Sequence, residues 1–396
     1  MPSAADAVVT IPTYWTWPST ESHHPVTAAY DHPTPLDGDS TLVPLLDDLA
    51  AQHAAELRVL ILIGLAHPDL EQAASDHVRQ LLQPFCLRLD LRICDAAALG
   101  RLRALLDPSG AQGELFHLRS YAGIRNLQLL VPHVLDADVV VALDDDERVE
   151  SDYAERALTY VSREVDGRRV LGLAGPYLQR DGGVLLGERP PTGNVFRDKA
   201  LFINSAMRAL TANKAGLVPS PLALGGNMVF HRDLFTRVCF DPGITRGEDI
   251  DYLINARLQD IRWWFDPELT ILHLPPGHHE TPSYQRMRED VFRFIFEREK
   301  LRLYGDARPE WLEPYPGALL GEDLPEQAVA ALQEDATPEM VERWGSPQNI
   351  VDAAREHANR SASRYPDFVQ AWQSIMTRVE RDTSLRQASA AALPRL

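Results

Sequence analysis

Apolar positions along the chain change their spacing twice, and the changes divide it into three stretches. In the first 150 residues, short β-branched runs alternate with segments of helical period. Ala7-Val8-Val9-Thr10-Ile11-Pro12-Thr13-Tyr14 reads as a buried strand stopped by a proline. Residues 15–40 are rich in Pro, His, Thr, Ser and Asp and read as a long loop. Trp15 and Trp17 either pin that loop to the core or offer a platform to a ring. Leu42, Leu45, Leu46 and Leu49 recur at helical spacing, and Val59-Leu60-Ile61-Leu62-Ile63 predicts a second strand. Pro68 opens a helix to about residue 83, the alternation of Leu87, Leu89, Leu91 and Ile93 predicts a third strand over 85–94, and a short helix follows over 95–106. A helix over 121–135 then delivers the chain to Val139-Val140-Val141-Ala142-Leu143, a run suited to burial on both faces. This alternation of strand and helix is the signature of a parallel sheet built from right-handed crossovers.

Between 151 and 282 the pattern is more broken. It predicts a helix over 152–164, a strand over 170–174, a turn at Asp181-Gly182-Gly183, and a helix over 196–213. A strand follows Gly225-Gly226, a helix opens at Gly247-Glu248-Asp249 and runs to about 259, and two short strands lead to His273. From 283 onward the period is helical, with a long amphipathic segment over 284–303 and weaker ones over 325–334, 338–344, 349–358 and 368–382. The last dozen residues read as frayed. The expected architecture is α/β: a mostly parallel sheet flanked by helices over 1–282, with an added helical region over 283–396.

Composition narrows the partners. A formal net charge of −18 argues against nucleic acid and anionic membrane, both of which need basic surface. A phosphorylated substrate stays open, because a local metal or arginine cluster can invert the field. No stretch of about 18 apolar residues exists, so no transmembrane segment is expected. The N-terminus shows no basic segment followed by an apolar one, and the expected location is cytoplasmic. Cys86, Cys94 and Cys239 are odd in number and fit no zinc spacing, so free thiols are expected. A homo-oligomer is compatible with the sequence.

Asp144-Asp145-Asp146-Glu147 places four acids directly after the apolar run, at the carboxyl end of a strand, where open α/β sheets bind ligands. Such a run is either a solvated acidic turn or a site for a hard divalent cation such as Mg2+ or Mn2+. In extended backbone Asp144 and Asp146 point to one side and Asp145 to the other. Glu248, Asp249 and Asp251 open a helix, where acids complement the dipole and cap free N–H groups, so a purely structural role is open for them too.

Taken in order, these blocks resemble the GT-A fold glycosyltransferases, the family-2-like enzymes that use a nucleotide-sugar donor. Ile11-Pro12-Thr13-Tyr14 resembles the first-strand motif of the nucleotide pocket, and Arg125-Asn126 the Arg-Asn helix start. Leu143-Asp144-Asp145-Asp146 resembles the Asp-X-Asp motif, Gly225-Gly226-Asn227 the acceptor-side glycine turn, and Gly247-Glu248-Asp249 the Glu-Asp motif. Asp266-Pro267-Glu268 leading to His273 resembles the segment where relatives place a histidine near the metal. The likeness spans about 7–275. The aspartate pair that relatives carry after the second strand is missing, with His67 and Asp69 the nearest substitutes.

The resemblance implies a Rossmann-like GT-A domain with a donor half over about 1–150 and an acceptor half over 151–282. Asp144, Asp146 and His273 would hold Mg2+ or Mn2+. Pro12, Thr13, Tyr14, Arg125, Asp144 and Asp145 would meet the nucleotide-sugar, and Gly225, Gly226 and Asn227 the acceptor, a small molecule or carbohydrate. Asp249 would be the general base of an inverting transfer, with Glu248 beside it. His278 and His279 are weaker ligand candidates on a Pro/Gly loop. Three alternatives stand: a retaining transferase in which Asp249 is not the base, a nucleotidyltransferase, and a carbohydrate-binding protein without turnover. The second lacks a Gly-rich, Lys/Arg-bearing signature near Ile11-Pro12-Thr13-Tyr14-Trp15.

Overall fold

Strand Ala7–Thr16 pairs in parallel with Arg58–Leu65 on one side and Val139–Ala142 on the other, so the three most apolar runs sit side by side. The computed structural model describes residues 6–21, 30, 33–52, 57–212, 216–275 and 283–396. His278, His279 and part of the 15–40 loop lie outside these residues. Among the described residues the main sheet has nine strands. Eight run in the spatial order Val218–Pro219, Trp264–Phe265, Gly172–Ala174, Met228–His231, Val139–Ala142, Ala7–Thr16, Arg58–Leu65, Asp90–Cys94; the ninth, Thr34–Pro35, pairs with Ala7–Thr16. Most pairings are parallel; Met228–His231 is antiparallel to both neighbours.

Both faces of this sheet are buried at its centre, which is why residues 59–63 and Val139–Ala142 are apolar at every position, whereas the edge strand Asp90–Cys94 alternates. Val9, Ile11, Val59, Ile61, Ile63, Val139 and Val141 share one core with Leu42–Ala50, Glu71–Leu82 and Tyr153–Leu158. Val8, Leu60, Leu62, Val140 and Ala142 share the other with Ala96–Leu106, Tyr121–Val134 and the C-terminal helices. The latter helices are bonded as well as packed: Trp372 donates its ring N–H to the Phe235 carbonyl at 2.8 Å, and Tyr365 its hydroxyl to the Cys239 carbonyl at 3.0 Å. The chain steps outward from Ala7–Thr16 to Arg58–Leu65 and Asp90–Cys94, and Val139–Ala142 then returns to the other side of Ala7–Thr16. Such a reversal opens a crevice at the carboxyl ends of the two strands that flank it. Thr13, Tyr14 and Asp144 stand at that point.

The expected α/β class is the one observed, but three local expectations fail. The third strand covers only Asp90–Cys94, because Gln83–Phe85 forms a turn of 3-10 helix and Leu87 is fully exposed. The helix expected over 152–164 stops at Leu158, and Glu164–Val165 pairs with Arg168–Arg169 across an Asp166-Gly167 turn with positive φ at both residues. That dipeptide is a strong hairpin signal and outweighs a weak helical period. The last dozen residues are ordered: Thr383–Ala391 is a helix capped by Asp382, and the Leu396 N–H reaches the Leu91 carbonyl at 3.1 Å. The tail thus occupies the open edge of Asp90–Cys94, where unpaired backbone groups await a partner.

Candidate functional site

The chain turns sharply after Ala142. The Leu143 N–H still reaches the Thr10 carbonyl at 3.1 Å, but Asp145 and Asp146 lie in a turn, and Glu147–Arg148 starts a new strand. The backbone N–H of Asp144 donates to the Glu147 carboxylate at 3.0 Å, closing the turn on itself. Glu147 is wholly buried, and its strand pairs with Ile271–His273 so that His273 stands opposite Glu147. The Leu274 N–H to Asp146 carbonyl bond at 2.8 Å continues that pairing.

This geometry corrects one expectation. Asp145 was expected to face away from Asp144 and Asp146, yet all three line one cleft, because period-two alternation belongs to strands and the segment is a turn. Asp145 accepts the Thr13 hydroxyl at 2.6 Å. Burial first, and the charge of Asp146 next, push its carboxyl up to about 8, against the opposing hydrogen bond from Thr13. Burial, then Asp144 and Asp146, raise the Glu147 carboxyl well above its ordinary range. The unfolded chain releases these protons near pH 4, whereas the fold keeps that of Asp145 to about pH 8 and that of Glu147 well past its ordinary range. The folded state therefore binds more protons across that interval, and stability is expected to fall as pH rises through it. Melting the metal-free protein from about pH 5 to about pH 8 checks this, and Asp145→Asn should flatten the slope. A melting temperature that climbs over the same interval would contradict it.

Arg125 ties the walls together. It lies on Tyr121–Val134, whose first turn is capped by Ser120 accepting from the Gly123 N–H at 3.1 Å. Its guanidinium is 4% exposed and donates to both oxygens of Asp144 at 2.9 and 3.1 Å, to Glu248 at 3.2 Å and to Gln128 at 3.0 Å. Burial works against the charge, but Asp144, Tyr14 and Glu248 hold it firmly protonated. A Cβ on Gly225 would stand 2.6 Å from Arg125 Nη2, and one on Gly226 2.0 Å from Glu147 Oε1. The glycine turn thus makes room for this arginine and this glutamate.

The opposite wall is the start of helix Glu248–Leu258, entered through Gly247 at φ +73°. Glu248 turns inward to Arg125, and burial raises its carboxyl against the pull of that arginine. Asp249 is half-buried and accepts the Ile250 N–H at 2.8 Å. The cleft has a volume of about 370 Å³. Of the residues singled out in the sequence it brings together Tyr14, Arg125, Asp144, Asp145, Asp146, Gly225, Glu248, Asp249 and His273.

Pro12, Thr13, Gly226 and Asn227 do not line it. Asn227, expected to bind substrate, is fully buried with its amide committed to the Leu269 carbonyl at 2.6 Å and its carbonyl to the Tyr153 hydroxyl at 2.8 Å. Thr13 reaches the cleft only through Asp145, and His67 and Asp69 lie outside it. Trp15 is buried against His77 and pins its segment. Sequence reading missed Tyr121, Tyr177 and, above all, Arg293 from the C-terminal helix Ser283–Leu303. A signal for the last exists: Asp290, Arg293, Glu297 and Lys300 put charge at helical spacing on the buried stripe of that helix.

Among the described residues, no group of three or more His, Cys, Asp or Glu side chains stands ready as a metal cage. His273 Nε2 and Asp146 Oδ2 lie 3.5 Å apart, close enough to share an ion. Asp144 has both oxygens on Arg125. A hard cation that keeps several waters and is held by one or two protein groups plus substrate phosphates fits this donor set.

No known protein family matches the sequence, and no curated protein is significantly similar to it. Among solved structures, the chain is similar to the mannosyltransferase PcManGT from Pyrobaculum calidifontis in complex with GDP-Man and Mn2+, with 15% identity, a TM-score of 0.46, and coverage of 99% of this chain and 88% of that one. It is also similar to S. aureus TarS 1-349, with 12% identity, a TM-score of 0.37, and coverage of 95% and 91%. The same TarS segment in complex with UDP gives 13% identity, a TM-score of 0.34, and coverage of 95% and 91%.

Proposed function

We propose that this chain is a metal-dependent glycosyltransferase that moves a sugar from a nucleotide-diphosphate donor to the hydroxyl of a small molecule or carbohydrate, with inversion. One observation carries the reading. Two carboxylate groups that the sequence separates by about a hundred residues line a single cleft, at the reversal point of a parallel sheet, with Arg125 between them.

On the donor wall, Asp146 and His273 would hold Mg2+ or Mn2+, which when bound supplies positive charge to the leaving diphosphate. Tyr14 brings a ring to the same wall, packed against Tyr30 and Tyr121 at centroid distances of 4.4 and 5.7 Å. Its buried hydroxyl has no hydrogen-bond partner among the described residues, which suits a polar edge of the donor. Asp145, its carboxyl pushed up by burial and fastened to Thr13, fixes the turn rather than adding a full negative charge beside Asp144 and Asp146.

On the other wall, Asp249 is the base. It accepts the proton of the acceptor hydroxyl as that oxygen bonds to the anomeric carbon and the bond to the diphosphate breaks. Its half-exposed position leaves one oxygen for the substrate while the other holds the Ile250 N–H. Glu248 is the lesser candidate, being buried and paired with Arg125.

A thermal-shift screen of nucleoside diphosphates and nucleotide-sugars, with and without Mn2+, tests the reading, since a ligand that binds only the folded state raises its melting temperature. Asp146→Ala should abolish the Mn2+-dependent part of the shift. Wild-type protein that binds none of them with Mn2+ present sinks the proposal.

A further inference from the structure

Arg293 belongs to the long helix Ser283–Leu303, beyond the stretch 7–275 that carries the sequence motifs, yet it lines the cleft. It is 7% exposed. Its Nε donates to Glu297 at 3.0 Å, while its Nη2 has no hydrogen-bond partner among the described residues. Phe294 and Tyr315 pack against it, with ring centroids at 4.9 and 5.9 Å. A buried guanidinium with an unused donor is costly unless something else occupies that donor.

Its position says which part of the cleft it serves. A Cβ on Gly247 would meet Arg293 Nε at 2.1 Å, so the guanidinium packs closely against the backbone that leads into Glu248 and Asp249. Burial works against its charge, but Tyr315, Glu297, Asp249 and Asp290 hold it protonated. Arg125, by contrast, is committed to Asp144 and Glu248. Arg293 is thus a cation of the Asp249 wall with a hydrogen-bond donor to spare, in a cleft that also holds five carboxylate residues, Arg125, and Arg246, the last paired with Glu289 at 2.9 Å.

We propose that Arg293 binds an anionic group of the acceptor, a phosphate or carboxylate, and so selects an acidic hydroxy compound as the molecule that receives the sugar. The proposal rests on the transferase reading for the word acceptor, but the oxyanion site stands on Arg293 alone. Planar oxyanions match the guanidinium fork, and a ligand anion approaching Asp249 needs a local cation to offset repulsion by Asp146, Glu248 and Asp249.

The test measures binding of inorganic phosphate and of glycolate by calorimetry, to wild type, Arg293→Gln and Arg293→Lys, each with and without saturating UDP or GDP and Mg2+. Wild type should bind at least one anion at millimolar concentration, with nucleotide present as well as absent. Arg293→Gln should weaken that binding by about tenfold or more, the loss of one charge-assisted hydrogen bond, and leave nucleotide affinity within about twofold. Arg293→Lys, which keeps the charge and a partner for Glu297, should fall between them and serves where the glutamine variant melts early. Anion binding that is absent in wild type or unchanged in both variants overturns the proposal. Nucleotide affinity that falls in step with anion affinity also overturns it, assigning Arg293 to the donor. If wild type binds no nucleotide, the transferase reading fails, while the arm without nucleotide still decides whether Arg293 holds an oxyanion.

Discussion

Asp249→Asn is expected to remove glycosyl transfer while leaving nucleotide binding intact. The substitution keeps the shape of the side chain and an oxygen for the Ile250 N–H bond at 2.8 Å, so the start of helix Glu248–Leu258 should hold. What it removes is a group able to accept a proton at neutral pH. General bases contribute roughly 10²–10⁴ in rate, and a loss of that size in turnover, with nucleotide affinity unchanged, is the expected result. Steady-state kinetics beside calorimetric titration of UDP or GDP reads both quantities. Full turnover in the variant removes Asp249 from the role of base and favours a retaining reaction. The same experiment on Glu248→Gln should show a different pattern, with lowered stability as well as activity, because that carboxylate holds Arg125.

Arg125→Ala is expected to have the largest effect on stability of any single change in the cleft. It strips both oxygens of Asp144, and the buried carboxylate of Glu248, of their countercharge. Breaking a buried ion pair from one side costs about 3–5 kcal/mol, since the abandoned charge stays in a poorly solvating place. It also leaves a void beside Gly225, whose missing side chain exists to admit the guanidinium. Arg125→Lys should recover only part, because a single ammonium cannot span the two oxygens of Asp144 and reach Glu248 as well. Adding Asp144→Asn and Glu248→Gln to Arg125→Met should restore more stability than Arg125→Lys does, by removing the stranded charges. Chemical denaturation of the four proteins orders them. An Arg125→Ala protein as stable as wild type refutes the role of Arg125 as the tie between the walls.

The two predictions concern residues of unequal legibility. Asp249 and the Asp144–Asp146 run were visible as acids at a helix start and a strand end, positions where chain direction alone exposes side chains to a ligand. Arg125 was visible only by resemblance, and its actual partners were not. Nor was the burial of Asn227, whose amide is consumed by the Leu269 carbonyl and the Tyr153 hydroxyl. Arg293 left only a faint trace, charge at helical spacing along Ser283–Leu303, because a charged residue in a long amphipathic helix reads as solvated until the neighbour that buries it is known.

By itself the sequence determined the long central strands and most helices, because apolar period is a property of neighbouring residues and survives in any tertiary setting. Val139-Val140-Val141-Ala142 is a strand whichever element it pairs with, and Glu248–Leu258 begins where glycine and acids make a helix start. Only the tertiary structure decided that the tail would close the edge of Asp90–Cys94, that Asp145 would share a cleft with its neighbours, and that Arg125 would reach Glu248 across 123 residues of sequence. The physical reason is range. Backbone propensity and hydrophobic period act over a few residues, whereas the pairing of buried charges depends on which surfaces are pressed together and dried by the packing of the whole chain.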